Sequence, residues 1–535
     1  MSVQQEKAFA RRWWILLVLC LSLVVITLDN TILNVALPTL QSDLGATYSQ
    51  LQWMVDSYTL VFAGLLLTAG SLGDRFGRKG ALQIGLGVFA LGSLLSALAT
   101  SPEMLIGTRA IMGIGGAFIM PATLSILTNV FPAEERGKAI GIWAGVSAIG
   151  IALGPLLGGF LIEHFSWHEI FTVNIPIALV AIGAGIVLIP SSKDPAAPKL
   201  DPLGALLSIV GLVSIVYAVI EAPEAGWTDP TILAGFAFGA LVMVAFVLWE
   251  LRCDEPMLDV TFFKNPRFTA ASTGITLVFF AMFGFSFLLS QYFQFVLGYD
   301  ALQTGIRMLP LALTIMVVAP ISPRIVHRVG TKLVVTTGLS LVAFALIMCT
   351  GLGVDSGYGQ VAWRLVLLAM GMALTMAPAT ESIMGSLPLA KAGVGSAVND
   401  TTRQVGGALG VAIVGSVLSS VFGSHIADAF SGKLPAEAVE GARSSLYGAF
   451  QLADQVGGAQ GAQIVDVAKN GFVEGMHGGA LVAAGAAFIG AVVAFLFLPA
   501  TARDEDTELQ AHEYDEELEL AAAHGDKIET VEFVD

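Results

Sequence analysis

Asp29 stands inside the first long apolar run of the chain, in Leu28-Asp29-Asn30-Thr31-Ile32-Leu33-Asn34-Val35-Ala36-Leu37-Pro38, and no charged residue occurs from Trp13 to Leu28. A carboxylate at depth in a helix long enough to cross a ~30 Å hydrocarbon layer costs a few kcal/mol unless it faces a wet cavity or a countercharge. The chemistry open to it there is to bind and release a proton or a cation. An Asp that only snorkels to the interface would sit nearer the end of the run. Asp29 lies eight residues before Leu37, or ~12 Å by helical rise.

Arg109 is the complementary charge. It lies six residues beyond Glu103, near the outer start of another apolar segment, so it lies ~9 Å deep, close to the depth of Asp29. Arg keeps its proton, whereas Asp can be neutralised. A deprotonated Asp29 therefore attracts Arg109, and protonation or a bound cation weakens that attraction. Three further acids, Asp56, Glu221 and Glu381, are expected to be buried or half-buried, and Asp56 and Glu381 are candidates for a substrate cavity. Asn34, in the Asp29 helix, is another. Asp400 and Arg403 read as a structural pair near a helix start.

Aromatic residues crowd the segment from Phe279 to Phe295, with Phe283 and Tyr292 as candidate cavity residues, and Met370, Met372 and Met376 form a second soft cluster. Such surfaces adapt to varied apolar ligands, although contact with lipid is the better explanation for any one of them. The seven His are dispersed, with only His164 and His168 close together. No nucleophile–base set and no metal cluster emerges, so neither a catalytic residue nor a metal site is expected. Cys20, Cys253 and Cys349 are scattered and imply no disulfide framework.

The positions of these residues require a membrane. Hydrophobic residues make up 55% of the 535 and charged residues 13%, with a mean hydropathy of +0.77, which excludes an ordinary soluble domain. Of the net charge of −16, most belongs to Asp504–Asp535, which holds 13 acids and one Lys. That stretch reads as a solvated appendage. No nucleic-acid partner is expected. Arg11-Arg12 precede the first run, which is expected to be a retained helix rather than a cleaved leader.

Hydropathy predicts fourteen spans, from 14–37 to the last two at 402–422 and 478–498, in an all-α membrane protein. With the N-terminus inside, 20 of the 26 Lys and Arg fall on the cytoplasmic side. By the positive-inside rule an even number of spans then leaves both termini cytoplasmic.

An ordered internal repeat accounts for the number. Pro121-Ala122-Thr123-Leu124-Ser125-Ile126 returns as Pro378-Ala379-Thr380-Glu381-Ser382-Ile383, Gly150 and Gly154 as Gly406 and Gly410, and Asp74-Arg75-Phe76-Gly77-Arg78-Lys79 as His327-Arg328-Val329-Gly330-Thr331-Lys332. The organisation expected is a six-helix half over 1–190, two inserted helices over 191–268, and a second half over 269–502 containing an external loop at 424–477. An acidic tail follows over 503–535. Asp29 has no counterpart in the second half, where its register falls near Phe280. Parallel six-span repeats with a midplane site between them describe secondary transporters.

Two segments carry mechanical expectations. In Gly70-Ser71-Leu72-Gly73-Asp74-Arg75-Phe76-Gly77-Arg78-Lys79, Gly70 permits a close helix approach and Gly77 a tight turn. Asp74 can accept hydrogen bonds from a helix N-terminus of the other half, or from Arg75 and Arg78, and so lock one face closed. Topology alone would explain Arg78 and Lys79. In the fifth span, Gly141, Gly145, Gly150, Gly154 and Gly158 form a small-residue face, with Gly159 beside it, and Pro155 is expected to bend the helix.

These motifs, with Arg109-x-x-Met112-Gly113-x-Gly115 and Gly150-x-x-x-Gly154-Pro155-x-x-Gly158-Gly159 followed by Trp167, Phe171, Asn174 and Pro176, resemble the fourteen-helix drug:proton antiporter branch of the major facilitator superfamily over nearly the full length. Met112 departs from the family, which more often has Gln there. The resemblance implies a multidrug efflux protein of the cell inner membrane, in contact with membrane lipid. It would export amphipathic or cationic small molecules against protons, with the proton gradient as energy source and no cofactor. Export of a lipid or cell-envelope precursor on the same fold is the main alternative. No protein partner is implied.

Overall fold

The computed structural model describes residues 9–44, 46, 48–192, 201–253, 256–388, 391–431, 434–444 and 446–500. The acidic tail expected over 503–535 lies outside them. Among the described residues the secondary structure is entirely helical. The longer helices are α1 (Arg12–Leu44), α2 (Tyr48–Phe76), α3 (Arg78–Ala97), α4 (Pro102–Val130), α5 (Ala133–His164), α6 (Asn174–Leu188), α7 (Pro202–Ala225), α8 (Pro230–Glu250), α9 (Pro266–Gln291), α10 (Ala301–Val318), α11 (Thr331–Cys349), α12 (Tyr358–Met384), α13 (Ala392–Phe430) and α14 (Gly458–Phe497). Among the described residues twelve helices are long and apolar enough to cross a membrane, thirteen if the pair Leu302–Val318 and Ser322–Val329, bent by 50°, is one span. The break in that pair holds Pro320, which cannot donate to a helical ladder.

Several helix starts are written in the chain as a capping side chain followed by proline. Ser101 accepts a hydrogen bond from Met104 N at 3.3 Å, Asp201 from Gly204 N at 2.8 Å, Asp229 from Thr231 N at 2.8 Å and Asn265 from Arg267 N at 2.9 Å. Each precedes a Pro at the first helical position, where the missing N–H costs nothing.

Helices α1–α6 pack among themselves, as do α9–α14. The two groups meet where α13 lies against α2 and α4, and where α5 lies against α10 and α12. The α7–α8 pair rests on the side of the bundle: α7 touches both α2 and α13 and so bridges the two groups. Tyr217 of α7 stacks on Trp53 at 6.2 Å, and Trp227 Nε1 donates to Ser416 Oγ at 2.7 Å.

Helices α13 and α14 correct the expected spans. α13 begins at Ala392 rather than 402, and α14 at Gly458 rather than 478. The segment 424–477, expected as a loop, is therefore mostly helix, with Ala436–Ser444 and Leu446–Val456 between the two long ends. Hydropathy marks only the continuously apolar part of a helix. Here the backbone stays helical because Ala and Gln are good helix formers and because Ile426, Phe430, Leu446, Ala449, Ile464 and Phe472 are buried. Phe450 packs edge-on against Phe295 at 6.2 Å.

Candidate functional site

Asp29 and Arg109 form a buried ion pair, with relative exposures of 0% and 1%. Arg109 Nη1 donates to Asp29 Oδ2, and Asn174 Nδ2 donates to Asp29 Oδ1 at 3.2 Å. Asn174 Nδ2 also reaches Ser93 Oγ at 3.3 Å, and Ser93 Oγ donates to Phe171 O at 2.8 Å. On its other side Arg109 donates from Nε to Met54 O at 3.0 Å and lies 4.6 Å over the ring of Tyr58. One carboxylate is thus held by residues of α1, α2, α3, α4 and α6.

Small residues make this convergence sterically feasible. A Cβ on Gly113 would stand 2.7 Å from Tyr58 O, and one on Gly115 would stand 2.6 Å from Phe89 N, so α4 fits between α2 and α3 only because both positions lack side chains. Met112, the departure from the family pattern, accepts from Ser96 Oγ through its sulfur at 3.5 Å. Sequence reasoning paired Asp29 with Arg109 but did not include Asn174, Ser93, Tyr58 or the Met54 carbonyl in the site. The available signal was Asn174 itself, a polar residue opening an otherwise apolar helix.

The glycine helix α5 lies directly against α1 beside this pair. A Cβ on Gly150 would collide with Thr27 Oγ1, and one on Gly154 with Thr31 Oγ1. The two threonines flank Asp29 by two residues on either side, so α5 touches the α1 turns that carry the carboxylate. Farther along, a Cβ on Gly141 would stand 2.5 Å from Ala319 O of the second half. Gly158 is buried, whereas a Cβ on Gly159 would meet nothing within 4 Å. The side chains of Pro155 and Asn34 lie outside the described residues.

A second constellation closes the end of the bundle that carries the basic loops. Asp74 Oδ1 accepts from Arg78 Nε at 2.8 Å and from Gly393 N at 2.9 Å, while Asp74 Oδ2 accepts from Val394 N at 3.0 Å. Gly393 and Val394 belong to the first turn of α13, whose free N–H groups and dipole favour an anion. A Cβ on Gly70 would lie 2.5 Å from Gly393 O and 2.7 Å from Ala397 Cβ. Gly77 has φ 117°, and Gly330, its repeat counterpart, has φ 88°. Arg75 corrects the expectation: it does not bond Asp74 but lies 5.4 Å over Phe76, and its Nη1 has no hydrogen-bond partner. The helix simply turns its side chain away, because Arg78 already occupies the i+4 position facing Asp74.

The candidate cavity residues whose side chains are described have different surroundings. Tyr292 is fully buried and donates to Gly353 O at 2.7 Å, which makes it an anchor for the turn after α11 rather than a cavity residue. It opens the π-helical turn Tyr292–Val296. Phe283 is 37% exposed and stacks on Phe279 at 5.9 Å. Asp56 is half-buried on α2. Glu381, also half-buried, packs across the halves, its carboxylate oxygens 2.5 and 2.7 Å from where a Cβ on Gly137 would be.

Arg403 is the other large correction. The expectation places it with Asp400 near a helix start, yet with α13 starting at Ala392 both Asp400 and Arg403 are inside the bundle, 1% and 5% exposed. The low-hydropathy run from Gly393 to Thr402 concealed the first three turns of that helix.

Comparison with known proteins gives a consistent picture. The family profile described as Major Facilitator Superfamily matches residues 19–411. The chain is 36% identical to the multidrug efflux pump LfrA of Mycolicibacterium smegmatis over 475 residues, covering 89% of this chain and 94% of that protein. It is 33% identical to the tetracenomycin C resistance and export protein of Streptomyces glaucescens, covering 90% and 91% respectively. It is also 33% identical to the methyl viologen resistance protein SmvA of Salmonella typhimurium, covering 92% and 99%. Among solved structures, a bacterial homologue of the human lysosomal transporter Spinster shares the fold with a TM-score of 0.56 at 18% identity, over 92% of this chain and 98% of that one.

Proposed function

The chain belongs to the Major Facilitator Superfamily, and from that premise we propose that it is a proton-coupled antiporter, a multi-pass efflux protein of the cytoplasmic membrane that exports amphipathic or cationic small molecules by alternating access. The substrate leaves chemically unchanged, and the proton gradient supplies the work. Counting the bent pair as one span and adding the 32-residue helix α5 supports the reading of fourteen spans, in which the end with the basic loops is taken as cytoplasmic.

The observation that carries this reading is the fully buried Asp29–Arg109 pair braced by Asn174, on the helix whose Thr27 and Thr31 pack against Gly150 and Gly154 of α5. A buried pair is poor as a stabiliser, since desolvation offsets most of its attraction. As a switch it is well suited. Protonating Asp29 removes its hold on Arg109 and frees α1 to shift along Gly150 and Gly154. The Asp74 contacts with the first turn of α13 then belong to the state closed toward the cytoplasm.

Asp29→Asn tests the coupling. In proteoliposomes with an imposed pH gradient, the variant should lose gradient-driven ethidium transport by at least 100-fold while inserting normally. Undiminished gradient-driven transport would remove Asp29 from the mechanism.

A further inference from the structure

Asp400 lies in the half of the bundle opposite to Asp29, with surroundings of a different kind. Its Oδ1 accepts from Asn399 Nδ2 at 3.3 Å and stands 3.9 Å from Arg403 Nη1, at the edge of ion-pair distance. Its Oδ2 has no hydrogen-bond partner, although the residue is 1% exposed. Buried carboxylate oxygens are rarely left in that condition, because the lost hydration is not recovered. Arg403 does not complete the pair because it is engaged elsewhere. Its guanidinium lies 4.8 Å over Trp143 and 5.1 Å over Phe279, its Nη2 donates to Thr380 Oγ1 at 3.2 Å, and its Nε is unpartnered.

Two aromatic faces and an under-satisfied carboxylate are the parts of an organic-cation site. In this structure a cation of the protein itself occupies the aromatic faces. The parts come from both halves: Trp143 belongs to α5, and Asp400, Arg403 and Phe279 to α13 and α9. Trp143 is held on its own side by Nε1 donation to Thr123 Oγ1 at 3.3 Å. Counting from the basic ends of α5 and α13, Trp143 and Arg403 both lie ~15 Å in, near the middle of a bilayer. A rocking motion that separates the halves at this end must draw Trp143 off Arg403.

We infer that Asp400, Trp143 and Phe279 form a binding site for organic cations, which Arg403 fills as a resident cation until the substrate's own positive group displaces it. The inference rests on the efflux reading above and names where the charge of a cationic substrate is received. It also assigns a separate place to the proton, since Asp29 is in the outer half of α1, ~26 Å from its basic end. Substrate and proton would then act on different carboxylates, one in each half.

The test compares ethidium, a fluorescent organic cation, with Nile red, a neutral dye of similar size, binding to the purified full chain in nanodiscs. Asp400→Asn should lower the ethidium-to-Nile red affinity ratio at least tenfold. Arg403→Gln should raise ethidium affinity severalfold, because the competitor is gone and the carboxylate remains. A purely structural pair would give the opposite sign for Arg403→Gln, with both dyes weakened together. If Asp400→Asn does not yield a monodisperse protein, Asp400→Glu and Arg403→Gln carry the test. A ratio within twofold of the parent, or loss of ethidium binding in Arg403→Gln, overturns the inference. Failure of the unmodified chain to move ethidium on a pH gradient would instead count against the efflux reading, since the binding ratio does not depend on transport.

Discussion

At the scale of single residues, the buried Asp29–Arg109 pair was legible because charge is so rare in these segments. One Asp in the first apolar run and one Arg at comparable depth in the fourth leave few other pairings. The residues that hold them were not legible, because Ser93, Asn174 and the Met54 carbonyl act through hydrogen bonds that depend on five helices converging. Arg109 illustrates what the geometry adds. Its guanidinium bonds Met54 O from Nε and Asp29 from Nη1 at once, and lies over Tyr58. A Lys carries the same charge but has a single point of donation and no planar face. Arg109→Lys should therefore reduce gradient-driven ethidium transport at least tenfold with little loss of folded protein, measured as initial rates in proteoliposomes. Transport at the parent rate would mean that charge alone suffices. Asn174→Leu, which removes a donor to a charged acceptor, should cost about tenfold in the same assay; a smaller effect than twofold would reduce Asn174 to a packing role.

At the scale of elements, close contacts decide what can move. The α5 glycines were read as a small-residue face, and the structure sets Gly150 and Gly154 against Thr27 and Thr31 of α1, on either side of Asp29. Gly154→Val should therefore force the α1–α5 contact apart, at a cost of about 1–3 kcal/mol of overpacking. The expected result is slowed transport together with a lower thermal midpoint, both partly restored by Thr31→Ala. No rescue by that second change would show that the valine acts elsewhere. The Asp74 contact concerns the opposite end. Asp74→Asn weakens the acceptors for Gly393 N, Val394 N and Arg78, so cysteines introduced in the cytoplasmic mouth should react faster with a water-soluble thiol reagent. Unchanged labelling would leave that loop a topological signal only. What escaped the sequence at this scale was helix length: α13 and α14 continue through stretches whose hydropathy is low, and only packing against buried side chains such as Ile426 and Phe472 shows them to be helical.

At the scale of the whole molecule, the charge and the transport machinery are separated along the chain. Every contact described around Asp29, Asp74 and Asp400 lies before residue 411, whereas Asp504–Asp535 holds 13 acids and one Lys. The repeat, the turn glycines Gly77 and Gly330, and the bridging position of α7 between α2 and α13 all involve residues upstream of that tail. An anionic leaflet would repel so acidic a sequence. A chain ending at Arg503 should therefore retain substrate-stimulated proton flux per inserted molecule, even if its abundance in the membrane falls. The measurement is proton uptake by proteoliposomes on adding ethidium, normalised to correctly oriented protein. Retained flux means that the tail serves solubility or turnover. If inserted, truncated protein loses that flux, the tail must reach the cytoplasmic end of the bundle, where Asp74 and the first turn of α13 meet, and take part in opening it.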